Sequence, residues 1–305
     1  MTPVEWLWIP ITIWAAFAQT IRNAAQKGLT ASLGALGATL VRFLYGLPFA
    51  LLWLIAVKTV GNVGWPVLGI EFLGWVCLGA MSQIVATALL LRVMAERNFT
   101  LGVAYSKSDV LQVAVFGFIF LGDVPSLGAG IAVVFGTLGV LLLSPPDRER
   151  PLRALLTGWT TRSALLGFAS GAGFAMSAVG FRGAALALPD TPFLMAAAIT
   201  LTLAQVLQTG VLGGWLLARD PDVVTRTFRA WRPSMIAGFM GAAASVGWFT
   251  AMAIEPAAHV RALGLIELLF SYMVSLRLFR EKLSRLERIG LVLLAIGLVA
   301  VALIR

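Results

Sequence analysis

Two stretches of the chain, IFLGDVPSLGAGIAVVFGTLGVLLL (119–143) and RLFREKLSRLERIGLVLLAIGLVAVA (277–302), match each other at an offset of 158 residues. The aligned pairs are Asp123 with Glu281, Ser126 with Ser284, Gly139 with Gly297 and, further upstream, Asp109 with Glu267. The polar stretch 144–162 lies between the two copies and divides the chain almost in half. The sequence therefore predicts an internal duplication.

The composition is that of a membrane protein. The 305 residues are 59% apolar and only 12% charged, with a mean hydropathy of +0.91. A helix needs about 20 apolar residues to cross a bilayer, and only helices and closed barrels satisfy their backbone groups in lipid. The apolar runs here are continuous and do not alternate, which favours helices over a barrel. The predicted fold class is therefore an all-α integral membrane protein.

Ten transmembrane helices are predicted, five in each copy. They are 5–25, 33–57, 69–92, 100–121, 125–144, 162–186, 192–217, 233–254, 258–279 and 285–304. Two longer polar loops are expected, at 144–162 and 218–233. The predicted organisation is a first repeat (1–145), a cytoplasmic linker (146–161) and a second repeat (162–305). Because five is an odd number, the two repeats must have inverted topology.

The distribution of basic residues gives an orientation. They collect after the odd-numbered spans, whereas the opposite face has little beyond Lys58 and Arg182. The positive-inside rule then makes the basic face cytoplasmic and predicts both termini outside. The segment FLGDVPSLG has no basic residue and its aligned partner LFREKLSRLERIG has four, as expected for copies that face opposite sides. The predicted location is a bacterial inner membrane, crossed many times.

Several functional classes are excluded by what the sequence contains. The net charge of +9 sits in short loops between apolar runs, which argues against a nucleic-acid partner. The start MTPVEWLWIPITIW lacks a basic region and a small-residue cleavage site, so it predicts a first span and not a signal peptide. One cysteine, one histidine and no hydrolase, zinc or nucleotide motif predict no enzyme, no catalytic residue, no cofactor and no metal.

The acidic hinge before a glycine-rich last helix, GDVPSLGAGIAVVFGTLGV and REKLSRLERIGLVLLAIGLV, resembles the drug/metabolite transporter superfamily, EamA family. The length and the Trp-rich first span are similar to bacterial aromatic amino-acid exporters of that family. The resemblance implies that spans 1, 3, 4, 6, 8 and 9 line a central cavity and that spans 5 and 10 support them.

Polar and small residues mark one face of several spans. Span 1 has Trp8, Thr12, Gln19 and Asn23, span 6 has Ser170, Phe174, Ser177 and Phe181, span 3 has Trp75, Gly79, Ser82, Gln83 and Ala86, and span 8 has Met240, Gly241, Ala244, Ser245 and Trp248. Such faces turn toward water or protein and away from lipid. Close helix packing is the alternative explanation, since GFASG (167–171) is a GxxxG pattern. Among ten tryptophans, those away from span ends are the candidates for a pocket wall, namely Trp14, Trp75 and Trp248.

The stretch YSKSDVLQV (105–113) places Lys107 and Asp109 inside an apolar run. Two residues apart on a helix, their side chains point in different directions, so they are not expected to pair with each other. Further charges in predicted spans are Arg42, His259, Arg261 and Glu267. Interhelical ion pairs, such as Arg42 with Asp109, are one explanation. The other is a carboxylate that binds a substrate ammonium or a proton. The single histidine is expected to cap or pack, with a proton relay as the alternative.

These patterns predict a secondary transporter that exports or facilitates amino acids, including aromatic and large apolar ones, by alternating access. The predicted substrate-binding residues are Trp8, Thr12, Gln19, Trp75, Ser82, Gln83, Lys107, Asp109, Ser177, Ser245, Trp248 and Glu267. The alternative cargo is a nucleotide sugar or another phosphorylated metabolite, which would need Lys107, Arg42 and Arg261 as cations. The expected partners are the small-molecule cargo and the lipid bilayer. One chain holds both halves, so a monomer suffices to form a pathway.

Overall fold

A computed structural model describes residues 6–96, 106–124, 126–131 and 162–279, with a few further positions in 134–138 and 289–300. The described part is almost entirely α-helical and contains no strand. Its helices are α1 (Trp8–Leu44), α2 (Leu47–Val60), α3 (Ile70–Glu96), α4 (Asp109–Leu121), α5 (Arg162–Leu186), α6 (Phe193–Arg219), α7 (Pro221–Arg229), α8 (Trp231–Ile254), α9 (Ala257–Leu263) and α10 (Ile266–Phe279).

Helix α1 reverses direction at Gly34. This glycine has φ 69° and ψ 174°, outside the helical region. The Gln26 side-chain amide donates to the carbonyl of Ala38 at 2.7 Å, whereas 12 residues of straight helix would separate them by about 18 Å. The arms 8–33 and 35–44 therefore lie side by side, close to the predicted division between spans 1 and 2. The first arm is longer than the predicted 5–25.

Replacing Gly34 with alanine is expected to destabilise the protein by about 1–2 kcal/mol, because a Cβ is strained at this positive φ. No atom lies within 4 Å of a Cβ built there, so the effect would be purely conformational. Gly28 is a matched control, since it is exposed on the same arm, has open space around its Cβ and has no positive φ. Denaturant unfolding in detergent should find Gly28→Ala neutral or stabilising. Equal effects of both substitutions would contradict the assignment of the reversal to Gly34.

Among the described residues, five helical segments are long and apolar enough to cross a membrane, namely Trp8–Val60, Ile70–Glu96, Arg162–Leu186, Phe193–Arg219 and Trp231–Ile254. The first of these contains the Gly34 reversal and the break at Tyr45 and Gly46 before α2. Helix α4 is apolar but shorter. The fold class expected from composition, an all-α protein with membrane-spanning helices, agrees with these segments.

The most extensive helix pairings join the N-terminal and C-terminal parts of the chain: α1 packs along α8, and α3 packs along α5. Small residues bring both pairs close together. A Cβ on Gly247 of α8 would lie 2.7 Å from the Cβ of Ala15, and one on Gly173 of α5 would lie 2.9 Å from that of Ala86. Small residues at such crossings let the backbones approach, as in membrane helix pairs generally.

Two sequence expectations about secondary structure were wrong. The predicted loop 218–233 contains helix α7, which begins at Pro221 after the Asp220 side chain accepts from the backbone N–H of Val223 at 3.2 Å. The predicted span 258–279 is broken into α9 and α10 at Gly264 and Leu265. The linker 146–161, most of the predicted spans 125–144 and 285–304, and the hinge residue Glu281 lie outside the described residues.

Candidate functional site

A small cavity lies where α1, α3, α5, α8 and α9 meet. It is lined by Gln19, Arg42, Gln83, Phe174, Ser177, Ala178, Phe181, Ser245, Trp248, Phe249, Met252 and Arg261. One wall is aromatic, with the Phe181 and Phe249 rings 4.1 Å apart. The cavity volume is about 20 Å³, and roughly 10–15 Å³ on this scale holds one water molecule. The cavity is therefore too small for a metabolite, which could enter only after the helices separate.

Glu267 is the centre of a buried polar network beside the cavity. Its carboxylate accepts from the amide of Gln19 at 2.7 Å and from the amide of Asn23 at 2.8 Å. Lys107 forms an ion pair and a hydrogen bond with the same carboxylate. All these side chains are buried, so the ionised carboxylate is stable only because both oxygens have donors.

Asp109 forms the second buried ion pair, with Arg261. The Arg261 guanidinium also lies over the Trp248 ring, 5.0 Å from its centroid, and the Trp248 indole N–H donates to Gln19 at 2.9 Å. The expectation that Lys107 and Asp109 do not pair with each other is confirmed. The expected pair of Arg42 with Asp109 is wrong, because Arg261 occupies that place.

Both carboxylates stand at helix breaks. Asp109 is the first residue of α4, and Glu267 is in the first turn of α10, directly after the Gly264 break. A negative charge in the first turn is favoured by the helix dipole. Gly264 also has a steric role, since a Cβ there would lie 2.7 Å from the Trp248 ring.

Arg42 differs from Lys107 and Arg261 because it has no acidic partner among the described residues. Its two terminal nitrogens donate to the hydroxyls of Thr87 at 3.1 Å and Ser245 at 3.5 Å. Its Nε has no hydrogen-bond partner among the described residues, although Arg42 is only 2% exposed. No carboxylate in the described part of the chain forms an ion pair with it.

Arg22 lies close by and is fully buried. It hydrogen-bonds to the Asn23 side chain at 2.6 Å, and no ion pair joins it to a carboxylate of the described residues. The buried cations around the cavity are Arg22, Arg42, Lys107 and Arg261, and the buried carboxylates are Asp109 and Glu267. Four positive groups thus face two negative ones, and the described site has a formal charge of +2.

The predicted site residues divide into three groups. Gln19, Gln83, Ser177, Ser245 and Trp248 line the cavity. Lys107, Asp109 and Glu267 form the adjoining ion pairs. Trp8, Thr12, Trp75 and Ser82 do not line it.

Three of the four residues outside the cavity are buried or pack against other helices. Trp8 and Thr12 are buried on the same face of α1 as Gln19 and Asn23, closer to the N-terminus of the helix. This polar face therefore turns toward protein, as expected. Trp75 lies against Gly183 of α5, where an added Cβ would come within 2.5 Å of its indole. This tryptophan therefore serves helix packing, which was the alternative explanation of that face.

Two features of the site differ from the sequence expectation. Trp14 was expected to be a pocket residue, but it is 49% exposed and lies beside Phe17 at 6.1 Å. Arg22, Phe249 and Met252 were not predicted to contribute to the site. An arginine within a predicted span was the available signal for Arg22, because a charge at membrane depth indicates a function. No pattern distinguished Phe249 and Met252 from packing residues.

A second polar cluster joins the segment after α4 to α5 and to the α8–α9 connection. Arg182 lies 3.7 Å from the Asp123 carboxylate and donates to the carbonyl of Met252 at 2.9 Å. His259 Nε2 accepts from the backbone N–H of Ser126 at 3.1 Å. The proton of a neutral ring therefore resides on Nδ1, which donates to Glu255 at 2.6 Å. His259 thus links two segments, in line with the expected packing role.

Comparisons with known proteins show the fold alone. A solved structure described as "Crystal structure of protein" matches 96% of this chain and 94% of its own chain, with a TM-score of 0.67 and 14% sequence identity. At this identity the likeness extends to the arrangement of helices and no further. No family model matches the sequence, and no curated protein matches it.

Proposed function

We propose that the protein is a secondary transporter of the EamA type within the drug/metabolite transporter superfamily. The observation that carries this proposal is the small cavity, whose wall combines buried cations, amides and aromatic rings from helices on both sides of residues 146–161. A packed structural core would not need two ion pairs and an unpaired arginine around one space. Broken helices that present Asp109 and Glu267 beside this space fit the same function.

An inverted repeat accounts for several contacts. Thr87 and Ser245, the two hydroxyls that bind Arg42, are separated by the same 158 residues as Asp109 and Glu267. Under this offset the pairing of α1 with α8 corresponds to the pairing of α5 with α3, which is the second extensive pairing. Arg42 would then lie near the pseudo-symmetry axis, and rocking of the two halves about this point would expose the cavity to each side in turn.

Amino acids with aromatic or large apolar side chains are the proposed cargo. Trp248, Phe181 and Phe249 form a wall against which such a side chain would pack. The cargo carboxylate would need a cation, and the cavity has two arginines on its surface. The cargo ammonium has fewer available partners, because Asp109 and Glu267 each already form an ion pair with a cation. Of the four carboxylate oxygens of Asp109 and Glu267, Asp109 Oδ1 is the one without a hydrogen-bond partner in the described structure.

A phosphorylated metabolite, such as a nucleotide sugar, is the second candidate cargo. The observation that favours it is the formal charge of +2 around the cavity, since a phosphate group would neutralise it better than a zwitterion. For either cargo we propose a protein of the bacterial inner membrane, with both termini outside and a pathway within one chain. Metabolite transport without chemical conversion is proposed, so no enzymatic activity is expected.

Uptake into proteoliposomes tests this proposal. Labelled phenylalanine, tryptophan and threonine would be offered, with unlabelled amino acids and a nucleotide sugar as competitors. Saturable uptake that amino acids compete is the expected result, and a repeat with a pH gradient would reveal proton coupling. Uptake that only phosphorylated compounds compete would replace the first cargo with the second. Linear uptake without competition by either would contradict a transporter of these cargoes.

A further inference from the structure

We infer that Arg42, with the hydroxyls of Thr87 and Ser245, forms a binding site for the oxyanion of an acidic cargo, and that this acid group is what the cavity recognises. The inference rests on the proposed transport function and deepens it. It assigns recognition to the carboxylate or phosphate of the cargo and makes an ammonium group dispensable.

The first observation is the state of Arg42 itself. A buried guanidinium without an anion is strongly disfavoured, and structures normally provide a carboxylate for it. Arg42 donates to two neutral hydroxyls, and its Nε has no hydrogen-bond partner in the described structure, yet the residue lines the cavity. By contrast, Arg261 and Lys107 have carboxylate partners. Among the cavity-lining cations of the described structure, Arg42 is thus the one whose acid partner is missing.

The second observation is how the guanidinium is held. Thr87 on α3 and Ser245 on α8 contact its two terminal nitrogens from different helices. These contacts fix the plane of the guanidinium without neutralising it. A planar guanidinium with free N–H groups binds carboxylate and phosphate oxygens in a two-point geometry that an ammonium does not offer. Ser245 also lines the cavity and could donate its hydroxyl proton to the same oxyanion.

The third observation is the environment of the arginine. A Cβ on Gly241 would lie 3.2 Å from the Arg42 side chain and 3.4 Å from that of Arg22. The glycine therefore leaves room for both arginine side chains to pack against α8. Their proximity raises the positive potential where Arg42 meets the cavity. An entering anion reduces this repulsion, whereas a cation increases it. A site of this kind favours cargoes with an acid group, and the apolar wall favours those whose acid group is attached to an aromatic or large apolar group.

A series of four ligands tests the inference on the whole protein in detergent. The ligands are phenylalanine, 3-phenylpropionate, which lacks the ammonium, phenylalaninamide, which lacks the carboxylate, and phenyl phosphate. Binding would be measured by calorimetry. We expect 3-phenylpropionate to bind at least as tightly as phenylalanine, and phenylalaninamide to bind at least about tenfold more weakly, as for loss of a charged hydrogen bond. Comparison of the affinities for phenyl phosphate and 3-phenylpropionate distinguishes a phosphate-selective from a carboxylate-selective site.

Three variants test whether Arg42 is the residue that binds the acid group. Arg42→Gln should weaken acid binding by at least about tenfold and should not weaken binding of the cationic phenylalaninamide. Arg42→Gln should not lower the midpoint of thermal unfolding without ligand. Loss of an arginine with a merely structural role would lower this midpoint, whereas loss of one that only binds the anion would not. Arg42→Lys keeps the charge without the planar fork and should give an intermediate loss. Arg22→Gln removes one nearby charge without touching the cavity and should weaken acid binding less than Arg42→Gln.

The outcomes separate this inference from the proposed function. Equal binding of phenylalanine and phenylalaninamide, or no binding of any acid, would overturn the oxyanion site. Acid binding that Arg42→Gln leaves intact would overturn it as well, even if transport is observed. Acid binding that depends on Arg42, without uptake into proteoliposomes, would support the site and overturn the transporter.

Discussion

Replacing Glu267 with glutamine is expected to destabilise the folded protein by about 3–5 kcal/mol, as is usual when one partner of a buried ion pair is removed. Glutamine keeps the shape of the side chain but loses the charge that faces Lys107. It also places an N–H₂ group where the amides of Gln19 and Asn23 now donate. The site would then contain four cations and one carboxylate. Denaturant unfolding in detergent micelles, followed by circular dichroism, measures the effect.

The matched control for Glu267→Gln is the double variant Lys107→Gln with Glu267→Gln. It removes both charges of the pair, so the loss of unfolding free energy should be smaller than that of the single variant. The difference between them measures how much of the effect comes from an unpaired lysine. A single variant as stable as the wild type would mean that the buried pair does not hold the segment before α4 against α10.

Replacing Trp248 with alanine is expected to reduce transport of tryptophan and phenylalanine by at least about tenfold, as for loss of a central tryptophan at an interface. Its ring is 4% exposed, lines the cavity and lies under the Arg261 guanidinium. Threonine has no large side chain to pack against this ring, so its transport should fall less. Initial uptake rates for the three amino acids, normalised to folded protein, measure the selectivity.

Two further variants give this experiment its controls. Trp248→Phe keeps an aromatic wall and loses the hydrogen bond to Gln19, so it separates packing from hydrogen bonding. Trp14→Ala removes a tryptophan that is exposed outside the cavity, and its uptake rates should match the wild type. Unchanged rates for every cargo in correctly folded Trp248→Ala would remove this residue from the site.

The sequence predicted the membrane-type helices and several site residues because isolated polar groups in apolar runs carry a strong signal. Glu267, Lys107 and Asp109 could be recognised in this way, since a charge at membrane depth needs a partner. Their partners could not be read from the sequence. The pairing depends on how the broken ends of α4 and α10 meet α9 in space, and Arg261 was one of several equally eligible cations.

Other features of the fold left weaker signals. The break between α9 and α10 occurs in an apolar run, RALGLIELL, where one glycine does not distinguish a break from a continuous helix. Helix α7 has Asp220 and Pro221 at its start, a recognisable cap, but the polar composition of 218–233 favoured a loop. Trp14 and Trp248 were indistinguishable by composition, because only the packing of α1 against α8 decides which of them turns toward the cavity.

Thiol accessibility at Ser177 tests the central claim, a cargo cavity that opens to each side of the membrane in turn. Ser177 lines the cavity and would be replaced by cysteine after Cys77, the single native cysteine, is changed to serine. Ser170 on the same helix donates to the carbonyl of Ala86 at 2.8 Å and does not line the cavity, so Ser170→Cys is the control.

An impermeant thiol reagent would be applied to oriented vesicles from either side. A transporter is expected to let Ser177→Cys react from both sides. A saturating concentration of phenylalanine should slow this reaction, and Ser170→Cys should stay unlabelled. Reaction from one side alone, or no reaction in protein that is folded and inserted, would contradict an alternately open cavity.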